Sequence, residues 1–99
     1  MGIAAIAKQC PQLWRIVLGE CPNISDAGVQ AVAAHCHGLQ NINLYNCKGV
    51  TDVAILALAE NCTGLRFVNV ACAGSEISDI GISALAKSCS RLVRVLPPL

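Results

Sequence analysis

The clearest candidate for a nucleophile in this sequence is Cys36, which stands between His35 and His37. A histidine that takes the proton of a nearby thiol creates a thiolate, the attacking species in cysteine-dependent acyl transfer. The spacing favours another interpretation, because Cys36 belongs to a regular cysteine series and other residue types flank the equivalent cysteines. We therefore expect an interior thiol between two solvated turn histidines, and we predict that the chain is not an enzyme.

A second candidate is a metal site built from aspartates that recur along the chain. Each aspartate follows a hydroxyl residue, in the pairs Ser25–Asp26, Thr51–Asp52 and Ser78–Asp79. A row of carboxylates can hold a cation. Serine and threonine are also good helix N-caps, and the helix dipole favours a carboxylate in the first turn. We expect capping, and we predict no bound metal and no cofactor.

The seven cysteines are separated by 11, 15, 11, 15, 10 and 17 residues, so they alternate with a period of 26 or 27. Zinc sites favour close pairs such as Cys-x-x-Cys, which the sequence lacks. The start, MGIAAIAKQC, lacks the basic region and long apolar core of a secretory signal. We interpret the cysteines as reduced and mostly buried, which favours a cytoplasmic or nuclear location.

The same period governs the aliphatic residues and divides the chain into repeats. Three full units run over 10–35, 36–61 and 62–88, with a partial unit before them (1–9) and another after them (89–99). Leucine recurs at Leu13, Leu39, Leu65 and Leu92, and Ile or Val at Ile16, Ile42, Val68 and Val95. We therefore predict a single domain, 1–99, built as one array.

Each unit combines two periodicities. Ile16 and Leu18 alternate with Arg15 and Val17, which is typical of a short strand with one buried face. A helical spacing of apolar residues follows each hydroxyl–aspartate pair. One unit of strand, loop and helix cannot bury its own apolar face, but stacked units can pair their strands in a parallel sheet. The sequence therefore predicts an α/β fold.

The pattern C-x-x-L-x-x-I-x-L-x-x-C-x-x-I-[ST]-D-x-G-[VI]-x-x-[VL]-A resembles the cysteine-containing leucine-rich repeat. The resemblance covers nearly the whole chain and implies a horseshoe solenoid, with a parallel sheet on the concave face and helices on the convex face. The subtype is best known from F-box proteins, in which it forms the substrate-binding arm of Skp1–cullin–F-box ubiquitin ligases. Skp1–cullin components would bind through an F-box, a segment that these 99 residues do not contain. The alternative is a scaffold or structural subunit of a larger assembly, without a ligase role.

On this interpretation, the outward strand positions form a protein-binding face. They carry Arg15, Val17, Asn41, Asn43, Tyr45, Phe67, Asn69 and Arg94. Aromatic residues and arginine dominate the binding energy of many interfaces, and we expect Tyr45 and Phe67 to lie close together. The alternative is that the asparagines form a structural ladder and Phe67 merely covers the sheet.

Other partners are disfavoured by the composition. The net charge is +1 and no basic run occurs, so we predict no nucleic-acid binding. No stretch of about 20 predominantly apolar residues is present, so we predict no membrane span.

The two ends and the third unit depart from the pattern. Ile3, Ile6 and Leu13 belong to a first layer that no earlier unit covers, so the array is expected to self-associate there, unless Trp14 closes this end. The segment ACAGSEISD contains one extra residue, which is expected to move Cys72 out of the cysteine series. Pro97 and Pro98 are expected to end the last strand.

Overall fold

A computed structural model of the chain describes residues 2–21, 23–74 and 76–97. Strands and helices alternate in the order α1 (Ile3–Gln9), β1 (Arg15–Val17), α2 (Asp26–His35), β2 (Asn41–Asn43), α3 (Asp52–Asn61), β3 (Phe67–Asn69), α4 (Asp79–Ser88) and β4 (Arg94–Leu96). The four strands form one parallel sheet in the order β1-β2-β3-β4. The predicted α/β class and the parallel sheet are confirmed. Pro98 lies outside the described residues, and Pro97 directly follows β4.

The register between strands repeats the period of the sequence. Ile16 pairs with Ile42, Ile42 with Val68, and Val68 with Val95. Each pair therefore joins residues one repeat apart. Because every crossover between parallel strands contains a helix, neighbouring helices also pack side by side.

One apolar cluster holds the helices against one face of the sheet. Its fully buried side chains include Leu39, Ile42, Leu44, Ile55, Leu58, Leu65 and Leu85, which come from strands, helices and the turns between them. Burial of each such side chain contributes about 1.5–3 kcal/mol. The opposite face of the sheet has no helix layer over it among the described elements, and we call it the open face.

The loops after the strands explain the extra residue of the third unit. Glu20, Asn46 and Cys72 each adopt a positive φ, of 61°, 58° and 58°. Cys72 therefore corresponds to Asn46, and the next residue, Ala73, is buried where Cys47 is buried in the second unit. The expectation that Cys72 leaves the cysteine series is confirmed, and the insertion is accommodated after Ala73.

The cysteine that begins each unit bonds to the unit before it. The Sγ atoms of Cys36, Cys62 and Cys89 donate to the backbone carbonyls of Cys10, Cys36 and Cys62 over 3.5, 3.4 and 3.6 Å. A small apolar side chain that is also a weak donor fits this position, because it fills the core and satisfies a carbonyl.

The expected burial of the thiols is correct for only part of the series. Cys36, Cys47, Cys62 and Cys89 are buried, but Cys10 is exposed and Cys21 and Cys72 are half-buried. Cys10 is exposed because the first layer of the described array has no neighbour on that side.

Close contact between consecutive units continues in the loops. Ser25 and Gly49 form an isolated parallel bridge just before the helices begin. A Cβ atom on Gly49 would lie 2.8 Å from the carbonyl oxygen of Ile24. This position therefore requires glycine, because the two backbones approach too closely for a side chain.

Candidate protein-binding face

The predicted outward residues lie in two rows across the open face. In the first row, Arg15 pairs with Asn41, Asn41 with Phe67, and Phe67 with Arg94. In the second row, Val17, Asn43 and Asn69 are neighbours in the same way. Arg15, Val17 and Arg94 are exposed, and Asn41, Asn43, Phe67 and Asn69 are half-buried. The alternation of buried and outward residues follows the prediction.

Sequence reasoning missed one member of the second row, which is Leu96. It pairs with Asn69 at the edge of the sheet and is half-buried. The alternation around Val95 contained this signal, since Leu96 follows a buried-face position. The second row therefore has an apolar residue at each end and an asparagine on each central strand.

The two central asparagines have a local structural role. The Oδ1 atom of Asn43 accepts a hydrogen bond from the backbone N–H of Tyr45 over 2.9 Å, and Asn69 bonds Ala71 in the same way over 2.9 Å. Such bonds turn the chain at the end of a strand. Asn43 and Asn69 thus each have a structural role within their own loop.

Tyr45 and Phe67 do not form the close pair that the sequence suggested. Phe67 is level with Asn41 in the register, whereas Tyr45 lies four residues further along the chain from Asn41, beyond the end of β2. At about 3.3 Å per residue, this separates the backbones of the two residues by about 13 Å along the strand direction. The Cβ atom of Tyr45 lies 3.6 Å from the position of a Cβ on Gly19. The Cβ atom of Tyr45 therefore lies beside the glycine of the preceding unit.

The candidate nucleophile, Cys36, and its two neighbouring histidines lie in different environments. Cys36 is buried and its thiol donates to the carbonyls of Ala7 and Cys10, whereas His35 and His37 are exposed. Burial raises the pKa of the Cys36 thiol above its ordinary value, and Coulomb repulsion from Cys10 acts in the same direction. A raised pKa disfavours the thiolate, so the geometry supports a packing role for this cysteine.

The aspartates join consecutive units, a role that the sequence did not reveal. Asp26 accepts hydrogen bonds from the backbone N–H (2.7 Å) and the hydroxyl group of Thr51. Asp52 accepts equivalent bonds from Ser78 and a further one from the backbone N–H of Gly81 over 3.1 Å. Each aspartate thus fixes the start of the helix in the following unit.

The expected capping is present in two of the three helices that follow a hydroxyl–aspartate pair. The hydroxyl oxygens of Thr51 and Ser78 accept from the backbone N–H of Val53 and Ile80, both over 3.2 Å. The Ser25 side chain makes no such bond. Within residues 2–21, 23–74 and 76–97, no group of three or more His, Cys, Asp or Glu side chains is arranged to hold a metal ion.

Apolar side chains are exposed in the first layer and on the outer helices. Trp14 is 57% exposed, and Ile6 is also exposed, so Trp14 leaves much of this end uncovered. A shallow depression of about 460 Å³ lies on the outer surface of α3 and α4, lined by Leu56, Asp79, Ile80, Ser83, Ala84 and Lys87. In the described part of the chain, no helix has the length and hydropathy needed to cross a bilayer.

Comparisons with known proteins do not assign the chain to a family. No family model matches it, and no curated protein matches it. The residues and their geometry therefore carry the functional argument.

Proposed function

We propose that this chain is a non-catalytic protein-interaction module that binds a protein partner on the open face of its sheet. The observation that carries the proposal is the outward row Arg15–Asn41–Phe67–Arg94, which the parallel register holds at regular intervals. Parallel strands lie about 4.8 Å apart, so the row offers a rigid surface that loses little entropy on binding. It also contains arginine and an aromatic ring, two residue types that are common in interface hot spots.

The finer fold and the biological setting belong to the same proposal. The units stack into a horseshoe solenoid of the cysteine-containing leucine-rich-repeat type, and the open face is its concave side. The resemblance of the sequence to the cysteine-containing leucine-rich repeat supports a role as the partner-binding arm of an F-box-type ubiquitin-ligase receptor, in the cytoplasm or nucleus. The alternative is a scaffold subunit without a ligase role.

The test is quantitative capture of partners from a cell extract, with the protein as bait. The variant Phe67→Ala alters the open face, and Ile80→Ala is the control, because Ile80 is 67% exposed on the outer helix surface. We expect a specific partner to be depleted at least several-fold by the first change and to be unaffected by the second. Equal capture by both variants would remove the open face as the binding site.

The same captures separate the two biological settings. Recovery of Skp1 and cullin subunits with the bait, unaffected by Phe67→Ala, supports the ligase arm. Their absence, with the open-face partner retained, supports the scaffold.

A further inference from the structure

The positive and negative charges of this protein lie at opposite ends of the strands, and we call each of these two sides an edge. One edge contains the strand starts and the helix ends, and six of the seven basic residues lie there: Lys8, Arg15, Arg66, Lys87, Arg91 and Arg94. We call this edge the basic rim. The other edge, which we call the acidic rim, contains the strand ends and the helix starts. It carries five of the six acidic residues: Glu20, Asp26, Asp52, Glu76 and Asp79. The net charge of +1 conceals this separation.

Fold-level effects account for much of the pattern. Lys8 and Lys87 lie in the last turns of α1 and α4, where the helix dipole favours a cation. Asp26, Asp52 and Asp79 lie in first turns, where it favours an anion. The four arginines have no such explanation, since they precede or begin strands and are exposed to solvent.

Three of these arginines lie together at one end of the basic rim. The carbonyl oxygen of Arg66 accepts hydrogen bonds from the backbone N–H groups of Val93 (2.7 Å) and Arg94 (3.1 Å). Arg91 lies in the turn before β4, three residues ahead of Arg94, which begins that strand. Phe67 is paired with Arg94 in the register, and Val93 is 81% exposed. Exposed arginines and exposed apolar surface therefore occur together where β3 and β4 begin.

Arg15 lies at the other end of the first row. Its distance from Arg94 sets the spacing that two negative charges on a ligand would need. Arg15 and Arg94 are separated by three strand intervals, or about 14 Å. An extended chain rises about 3.3 Å per residue, so two of its side chains four residues apart are separated by about 13 Å. Arginine is suited to paired hydrogen bonds with carboxylates.

We propose that the basic rim, together with the first row of the open face, binds an extended acidic protein segment. Two carboxylates four residues apart meet Arg15 and the Arg66–Arg91–Arg94 cluster, and an apolar side chain between them meets Phe67. The inference rests on the proposed function and specifies the class of its partner. The acidic rim repels such a segment, and at physiological salt the screening length of about 8 Å lets the two rims act separately.

A protein segment fits better than a nucleic acid. The apolar side chains among the arginines match an alternation of acidic and apolar residues. The small net charge also provides little of the long-range attraction that concentrates a polyanion.

The probe is a fluorescent peptide containing Glu-Gly-Phe-Gly-Glu, and its binding is measured by anisotropy in physiological salt and at higher salt. The control peptide replaces both glutamates by glutamine. We expect saturable, salt-sensitive binding of the acidic peptide, and binding of the control at least tenfold weaker. Arg94→Gln and Arg15→Gln should each weaken binding about tenfold, since hydrogen bonds to charged groups are the stronger ones. Lys48→Gln, on the acidic rim, should change it less than twofold.

Equal binding of the two peptides, absence of binding, or indifference to the arginine changes overturns the inference. If a single-stranded oligonucleotide of equal charge binds more tightly than the peptide, the inference is wrong and the basic rim binds nucleic acid instead. Thermal melts of each variant show whether the fold is retained, and the side chains of Arg15, Lys48 and Arg94 are exposed. If Phe67→Ala abolishes partner capture while the arginine variants do not, this inference fails and the proposed function stands. If the peptide binds but no open-face partner is captured, the proposed function fails.

Discussion

The carboxylate of Asp52 accepts hydrogen bonds from both the backbone N–H and the hydroxyl group of Ser78, the residue 26 positions later that caps the next helix. The same hydroxyl oxygen accepts from the backbone N–H of Ile80. One side chain thereby fixes the start of a helix in another unit. Asp26 and Thr51 repeat the relationship one unit earlier.

Removal of the link from Asp52 should destabilise the fold more than removal of the equivalent aspartate in α4, which no other described helix follows. We expect Asp52→Ala to lower the free energy of unfolding by about 1.5–3 kcal/mol, because it leaves N–H groups without a charged acceptor. Asp79→Ala is the matched control, since Asp79 is exposed at the same position of the last helix. It should cost only the favourable helix-dipole interaction, about 0.3–1 kcal/mol. Urea unfolding measures both, and equal losses would contradict the role assigned to Asp52.

A matched pair of leucines tests the assignment of the core. Leu44 is fully buried, whereas Leu56 on α3 is 41% exposed. Leu44→Ala should cost about 2–5 kcal/mol, as large-to-small changes in packed cores do. Leu56→Ala should cost about 0.5 kcal/mol, as surface changes do. Chemical denaturation of the two variants should show this difference, and similar midpoints would mean that the buried and exposed positions are wrongly assigned.

The cysteines should react in the order of their exposure. Cys10 is exposed, Cys21 is half-buried, and Cys36, Cys47 and Cys62 are buried. Burial also raises the pKa of the Cys62 thiol to about 12, which lowers its reactive thiolate fraction at neutral pH below that of an ordinary thiol. Under native conditions a thiol reagent should label Cys10 first, whereas Cys62 should react only after unfolding. Peptide mass spectrometry resolves the sites. Equal labelling rates at Cys10 and Cys62 in the folded protein would contradict the exposure of Cys10 and the burial of Cys62.

Alkaline pH should destabilise the fold through the same buried thiol. The pKa of Cys62 is about 12 in the folded chain, against an ordinary value of 9.0, mainly because of desolvation. The folded state therefore holds this proton more tightly than the unfolded state does. The stabilisation is complete below pH 9.0 and is lost as the pH rises towards about 12. In unfolding experiments across this range, stability should fall less steeply for Cys62→Ala than for the parent chain. Identical slopes would count against the raised pKa.

The first layer is expected to associate with a second copy when nothing else covers it. Its exposed apolar side chains include Ile6 and Trp14, and β1 is an edge strand of the sheet. Exposed apolar surface beside an open strand edge favours pairing. Light scattering should show concentration-dependent association, which one consensus repeat added before Met1 should abolish. A stable monomer without the added repeat would show that this end needs no cover.

Much of the fold could be predicted from the sequence because the repeated residues serve repeated environments. The alternation of Ile16 with Arg15 and Val17 predicted a strand with one buried face. The 26-residue spacing of Ile16, Ile42 and Val68 predicted stacked units, and the register places these three residues side by side. The hydroxyl–aspartate pairs predicted the helix starts. The spacing of Cys72, one residue early in its unit, predicted that it leaves the series, and the structure places Ala73 at the position of Cys47. The extra residue of the third unit follows Ala73, so it does not displace Cys72. These conclusions need only local periodicity and the requirement that apolar faces be buried.

Relationships between units were decided by the tertiary structure. The aspartates looked like local caps because the sequence does not say which helix a carboxylate reaches, and the bond from Asp52 to Ser78 exists only when two units are stacked. Tyr45 and Phe67 looked close because both project outward, but the register separates them along the strands. The basic rim arises because strands and helices run in opposite directions within each unit, which brings strand starts and helix ends to one edge. The period of the sequence thus determines which structural elements repeat. The parallel stacking of the units determines which charged residues lie together and which hydrogen bonds form between units.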